Sequence, residues 1–284
     1  MATSFLHWNI NRKAGFENEV AKLVNMDDIK ADILLLVEAE NVDDNEINKL
    51  TGLTRLKVED WKETELTPRF YSKLPLDVFQ LFEIHDSSRY VFARLNIAEE
   101  KEIIICGLHI PSKLTVNEKT QYSDARQIAL FISDMKTRSN VGHNRFLVFG
   151  DFNMNPFEPG MIEPDGFNAV LSTTEALNEQ RTEFYKKFDY FYNPMWSYLG
   201  DRNYLTGDLK LAGSYYFRKT RDVTLTFWNV FDKVIIRPSI IDIFDFSSIK
   251  IIDDNGIEKL VTTDFQLRDD SFSDHLPLTF KLFI

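Results

Sequence analysis

The chain of 284 residues contains one cysteine, Cys106. An intrachain disulfide or a cysteine-rich zinc site is therefore impossible, and a lone thiol fits a reducing compartment. Glycine (11) and proline (9) are scarce, so no Gly/Pro-rich linker or low-complexity tract marks a domain boundary. Long apolar runs are missing: stretches such as residues 103–108 (IIICGL) fall far short of the ~20 residues a membrane helix needs. Residues 1–9 have neither a basic start nor a long apolar stretch, which predicts no secretory leader. Positive charge is in deficit, with 33 Lys plus Arg against 44 Asp plus Glu and a net charge of −11. That balance argues against loose coating of long nucleic acids, because no global positive field releases counterions. It leaves open a nuclease with local contacts, or one whose cleft holds a cation. Together these absences predict one soluble, cytoplasmic domain over residues 1–284.

What is present is ordinary globular material. Hydrophobic residues make up 44% and charged residues 27%, which rules out disordered and collagen-like classes. Residues 33–37 (ILLLV), 103–108, 146–149 (FLVF) and 234–236 (VII) are apolar on both alternating faces, the mark of strands sandwiched between layers. Further strand-like pieces are 5–10, 69–72, 78–84, 90–95, 223–227 and 278–283. Helical periodicity runs through Phe16, Val20, Leu23 and Val24, and again over 122–135, where Ala125, Ile128, Ala129 and Ile132 share a face. The alternation suggests two sheets face to face with helices outside, one of several α/β layouts it allows.

Polar residues cluster where apolar strands end. Asn9 and Asn11 follow the first strand, Glu38 the second, His109 the stretch 103–108, and Asp151 and Asn153 the stretch 146–150. Asp232 stands beside 234–236, and Asp274 and His275 stand before 278–283. Strand ends in layered α/β folds gather at one rim. Clustered carboxylates repel one another and resist desolvation, and a hard divalent cation relieves both costs. Oxygen ligands of this kind suit Mg²⁺ or Mn²⁺ better than zinc. Any one of these residues alone reads more simply as a helix or turn cap; six strand ends together do not. Of the five histidines, His109 and His275 border carboxylates, where imidazole can hold or transfer protons. His7, His85 and His143 read as surface or edge residues without a role.

These residues resemble the endonuclease/exonuclease/phosphatase superfamily with its DNase-I-like fold. The resemblance lies in Trp8-Asn9-Ile10-Asn11, Leu35-Leu36-Val37-Glu38, Gly107-Leu108-His109-Ile110-Pro111-Ser112, Gly150-Asp151-Phe152-Asn153, Phe231-Asp232-Lys233-Val234 and Ser273-Asp274-His275-Leu276-Pro277-Leu278. They occur in the family's order across nearly the whole chain. The Gly150–Asn153 and Ser273–Pro277 motifs are specific as a pair. The resemblance implies an α/β (α+β) fold, a four-layer α/β/β/α sandwich, and a metal-dependent hydrolase of phosphoric esters. It implies Glu38 as the principal metal carboxylate, with Asn9 and Asp274 nearby and Mg²⁺ (or Mn²⁺) as cofactor. Asp151 and Asn153 would position the water and the phosphate or a second metal. His275, oriented by Asp232, would contact the phosphate or act as general base or acid, with His109 as the second imidazole. Asn11 stands where many members carry aspartate, which weakens a second metal position. Residues 188–230 match no subfamily pattern.

Substrate signals are sparser. Arg12, Lys13 and Lys113 lie in loops beside these motifs and could touch phosphates; solvated loop charge explains them equally well. Arg218-Lys219-Thr220-Arg221 follows Tyr215-Tyr216-Phe217, either a single-strand platform or, as we favour, a hairpin with core aromatics and a wet tip. Trp196 and Trp228 read as packing residues. The expected substrate is nucleic acid. A small phosphorylated compound such as a nucleotide, phosphoinositide or sphingolipid head group is the alternative, and a scaffold that has lost catalysis ranks last.

Overall fold

Strand Ala2–Asn9 alternates its side chains between two apolar environments, and that alternation sets the architecture. Phe5 points toward a second sheet, while Leu6 and Trp8 point toward helices. The computed structural model describes residues 2–58, 61, 63–84, 89–97, 101–138, 140–203, 206–217, 227–263 and 266–284. Ala2–Asn9 pairs in parallel with Ile33–Val37 and antiparallel with Leu278–Phe283. Phe244–Ile251, Arg69–Ser72 and Thr54–Arg55 complete a six-stranded sheet. The second sheet runs Phe79–Ile84, Tyr90–Ile97, Lys101–His109, Phe146–Asp151, Asp232–Ile236, Phe191–Tyr192, Ala169–Val170.

Between the sheets lies an aromatic-rich core. Phe5 stacks on Phe280 at 4.8 Å and meets Phe149 edge-on at 5.9 Å. Leu35, Phe70 and Val234 fill the same layer. Gly107 lets the sheets approach there, since a Cβ would sit 2.8 Å from Leu35 Cδ1 and from Phe70 Cζ. Helices Glu17–Asn25 and Asp44–Thr51 flank the first sheet, with Val20, Leu23 and Ile47 buried against it. Helix Glu118–Met135 covers the second through Ala125, Ile128, Ile132 and Met135. The result is the expected α/β/β/α sandwich.

Most expected strands lie within a few residues of the observed ones. The long helix starts at Glu118 rather than Tyr122, because the Asn117 side chain accepts from Thr120 N at 2.9 Å and opens it earlier. Helix Asp44–Thr51 is an addition to the expected elements. Its signals are the cap at Asp43, which accepts from Asn45 N at 2.8 Å, and Gly52 at φ 74 after its last turn. Edge strand Phe244–Ile251 is a second addition, since its bulge between Asp245 and Lys250 breaks the alternation. Of the expected strand 223–227, residues 223–226 lie outside the described residues, and Phe227 joins no strand. Among the described residues, no helix is long and apolar enough to cross a membrane.

Candidate active site

Strand direction brings the polar ends together. Ala2–Asn9, Ile33–Val37, Lys101–His109 and Phe146–Asp151 finish at one rim. Asp232–Ile236 is antiparallel to Phe146–Asp151 and sets Asp232 directly opposite Asp151. Leu278–Phe283 is antiparallel to Ala2–Asn9. Asp232 therefore opens its strand instead of following one, and Ser273, Asp274 and His275 lead into theirs. Left-handed backbone turns aim two of the side chains, with Glu38 at φ 52 and Asn153 at φ 48. For non-glycine residues each costs about 1–2 kcal/mol, strain that accumulates where a side chain must point against the local run of the chain.

Asp151 is fully buried and held by amides. Its Oδ1 accepts from Asn153 N at 2.9 Å, and its Oδ2 accepts from Asn9 Nδ2 at 3.0 Å and Asn153 Nδ2 at 2.8 Å. Burial pushes its carboxyl up to about 6 against the pull of the His275 charge. Asn153 Nδ2 gives its other hydrogen to Ile110 O at 2.9 Å. Both amide hydrogens are thus engaged within the protein, one of them on Asp151.

On the other side of Asp151 stands an imidazole–carboxylate–imidazole chain. Asp232 Oδ2 accepts from His275 Nδ1 at 2.8 Å, and its Oδ1 faces His7 Nε2 at 2.9 Å. His7 Nδ1 lies 3.2 Å from Leu35 O. His7 is fully buried, which corrects the reading of it as a surface or edge residue. The overlooked signal is its phase: two residues from Phe5 and two from Asn9, it points into the inter-sheet layer. Asp232 N also donates to Ser214 Oγ at 3.0 Å. Burial opposes charge on His275, but Asp232 and Asp151 outweigh it and raise the imidazole to about 10. Burial likewise opposes the Asp232 carboxylate, yet the His275 charge and both imidazole contacts hold it well below the usual range. His275 Nε2 lies 3.9 Å from Asp151 Oδ2, and Tyr215 covers its ring at 4.5 Å.

His109 is the opposite case. Burial and the nearby Arg89 lower it to about 3, so it is neutral at neutral pH. Its Nε2 lies 3.4 Å from Glu38 Oε1 and 3.9 Å from Asp151 Oδ2.

The described residues offer one close trio of candidate ligand atoms, on Asp151, Asp232 and His275, within 4.8 Å of one another. Hydrogen bonds within the protein already engage both Asp232 oxygens and His275 Nδ1. The freer oxygens belong to Glu38, whose side chain has only longer contacts among the described residues: 3.4 Å to His109 and 3.4 Å to Arg12 Nε. Burial raises the Glu38 carboxyl, and the charge of Asp274 adds to the cost. Asn9 faces Val37 in register, one residue from Glu38, and its backbone oxygen accepts from Ser273 Oγ at 2.6 Å, next to Asp274. Asp274 is near enough for Glu38 to feel its charge, and Asn9 Oδ1 accepts from Asn11 N at 3.0 Å; carboxylate and amide oxygens are the donor type that a hard divalent cation takes.

The substrate cations fare unevenly. Arg12 remains at the rim, 47% exposed, between Glu38 and Glu40. Lys113 is bound to Glu158 and donates to Gln121 Oε1 at 2.7 Å, so its charge is matched inside the protein. Lys13 donates to Asp269 O at 2.8 Å. His143 is half-buried on Glu102, again not a free surface residue. Tyr215 and Phe217 are core, packed with Phe231, and Trp228 packs on Tyr216. His85 and Arg218–Arg221, the expected wet tip, lie outside the described residues. Arg89 is a further residue beside the rim that sequence reasoning overlooked; Tyr215, read as a hairpin core aromatic, is core, and its isolated bridge to His275 gives no local sequence signal.

No family model matches the chain, and no curated protein matches it. Solved structures do. Truncated Caenorhabditis elegans TDP2 aligns with a TM-score of 0.56 at 14% identity, covering 100% of this chain and 98% of that one. The human Nocturnin catalytic domain with bound sulfate gives 0.56 at 12%, covering 99% and 94%. A variant of the 3′ phosphatase NExo from Neisseria, bound to a product DNA hairpin, gives 0.56 at 13%, covering 99% of each chain. The chain thus shares the DNase-I-like fold of these structures.

Proposed function

We propose that this protein is a single-domain phosphodiesterase, residues 1–284, that hydrolyses nucleic-acid phosphodiester bonds by water attack at phosphorus. One observation carries the reading. Asp151 Oδ2 lies 3.9 Å from both His275 Nε2 and His109 Nε2, with Asp232 on His275 and Glu38 beside His109 at the same rim. Capping needs no such convergence of carboxylates and imidazoles; phosphoryl hydrolysis uses it. A 3′ phosphatase bound to a DNA product is among the neighbours of like fold, which supports nucleic acid as substrate class.

In this reading Asp151 takes the proton of the attacking water, since its pKa of about 6 suits a base near neutral pH. Asn153 and Asn9 fix the carboxylate from two sides. His275, kept charged by Asp232, donates from Nε2 to a phosphoryl oxygen. Neutral His109 has one ring hydrogen, which it would give from Nε2, the nitrogen facing Glu38 at 3.4 Å, to a phosphate oxygen. Glu38, Asp274 and Asn9 Oδ1 would hold Mg²⁺ or Mn²⁺, whose chemistry is neutralisation of the phosphate and of charge developing on the leaving oxygen. Arg12 is positioned to meet a neighbouring phosphate.

A substrate panel tests the proposal: plasmid, single-stranded DNA, RNA, an inositol phosphate and bis(nitrophenyl) phosphate, each with Mg²⁺, Mn²⁺ or chelator. Cation-dependent cleavage of a nucleic acid supports it, with Glu38→Gln lowering turnover by several powers of ten. Turnover of the inositol phosphate alone would instead favour the small-molecule reading.

A further inference from the structure

A second recess opens beside His109. It has a volume of about 230 Å³. Its floor is apolar, made by Tyr90, Ile110 and Ile128, and its polar wall is Arg89, Asp124 and Gln127. It shares its backbone with the catalytic rim: Arg89 O accepts from His109 N at 2.8 Å, and Ile110 O accepts from Asn153 Nδ2 at 2.9 Å. The Arg89 guanidinium is close enough to Glu38 and Asp151 to feel both charges.

Arg89 and Asp124 are half-buried and face one space, yet neither side chain has a hydrogen bond or ion pair with another described residue. Burial disfavours both charges, lowering Arg89 and raising Asp124, and each only partly offsets the other. Such a pair, left open over an apolar floor, is complementary to a flat ligand with acceptors on one edge and donors on the other. A phosphate would be repelled by Asp124, and an alkyl group would leave both charges unsatisfied. Guanine supplies O6 and N7 for the guanidinium fork and N–H donors on its opposite edge for the carboxylate. Adenine sets an amino group beside N7, against the donors of Arg89.

We infer that this recess is a base-recognition subsite that holds guanine next to the phosphate at the catalytic rim. The placement beside a reacting phosphate rests on the phosphodiesterase reading; recognition of the base does not. The guanine could belong to a free mononucleotide or to a strand.

The test is calorimetric binding to the full chain of GMP, AMP, CMP and UMP, and of single-stranded tetranucleotides that differ at one base. The expected result is a guanine preference of about tenfold or more, reduced to about threefold or less in both Asp124→Asn and Arg89→Lys. Melting curves check that each variant is folded. A preference confined to tetranucleotides assigns the base to a strand; one seen with GMP shows that the free nucleotide suffices. Equal affinity for all four bases overturns the inference, as does a preference unchanged in both variants. Guanine-selective binding without hydrolysis of any phosphodiester keeps the subsite and removes the catalytic reading. Hydrolysis with no base ranking does the reverse.

Discussion

His7 Nε2 and Asp232 Oδ1 meet at 2.9 Å across 225 residues of sequence, in a space closed to solvent. The contact leaves the Asp232 carboxylate gripped by an imidazole on each oxygen. Both His7 nitrogens are engaged, one by Asp232 and one by Leu35 O, so His7 acts on the rim by fixing Asp232. Its ring also completes the inter-sheet layer, 6.2 Å from Phe149.

Removing that grip should affect turnover more than substrate binding. His7→Ala leaves one buried carboxylate oxygen unpaired, a loss of about 1–3 kcal/mol in stability, and should lower kcat by about 10–100-fold, the usual effect of losing a supporting contact. KM should change little. His7→Gln, which keeps an N–H for Asp232, should recover a good part of kcat. In an Asp232→Asn background the His7 effect should vanish. Steady-state kinetics on these variants measures this, and equal losses in His7→Ala and His7→Gln would contradict it.

The rim should have a defined pH response. Asp151 must be ionised to take a proton, so activity should rise through about pH 6. His275 must be charged to donate, so activity should fall again near pH 10. Stability follows the His275–Asp232 pair. The raised His275 pKa contributes stability that is complete below its ordinary value of 6.5 and is lost as pH rises through about 10. The lowered Asp232 pKa contributes stability present above its ordinary 3.8 and lost only in stronger acid. Melting temperature in chelator should therefore decline between about pH 6.5 and 10 more steeply in the parent protein than in His275→Gln. Parallel declines would argue against the ion pair.

Lys113 gives a negative prediction. Its charge is matched by Glu158 and Gln121, so Lys113→Met should leave the salt dependence of KM for an oligonucleotide unchanged. It should instead lower stability by about 3–5 kcal/mol, because the buried Glu158 loses its ion-pair partner and keeps the hydrogen bond from Asn155 N. A weakened salt slope with normal melting would restore Lys113 as a phosphate contact.

Gly107→Ala tests the close approach of the two sheets. A Cβ there would collide with Leu35 and Phe70 at 2.8 Å, and overpacking of this kind costs about 1–3 kcal/mol. Urea denaturation should show the loss, and Leu35→Val should relieve part of it in the double variant.

The fold is legible in the sequence because buried strands read as unbroken apolar runs, and because the glycine–aspartate and aspartate–histidine motifs mark two of its strand ends. The site is legible as an inventory but not as a set of roles. Asn153 reads as helping to position the water and phosphate, and sequence does not say that its amide hydrogens go to Asp151 and Ile110. Lys113 reads as a rim cation until Glu158 is found beside it. Glu158 is 45 residues further along the chain, and no local pattern encodes the pairing. His7 reads as an edge residue because a histidine in an apolar strand resembles one; only its phase with Phe5 and Asn9 says otherwise. Asp232 reads only as standing beside an apolar run, and the antiparallel pairing shows that it opens its strand opposite Asp151.

The most direct measurement is hydrolysis of bis(nitrophenyl) phosphate at neutral pH with Mg²⁺ or Mn²⁺ by the parent protein and by Asp151→Ala. The account predicts cation-dependent turnover in the parent and a loss of several powers of ten in the variant, on the order of 3–5 kcal/mol of transition-state stabilisation. Asp151→Ala retaining most of the parent activity would contradict it.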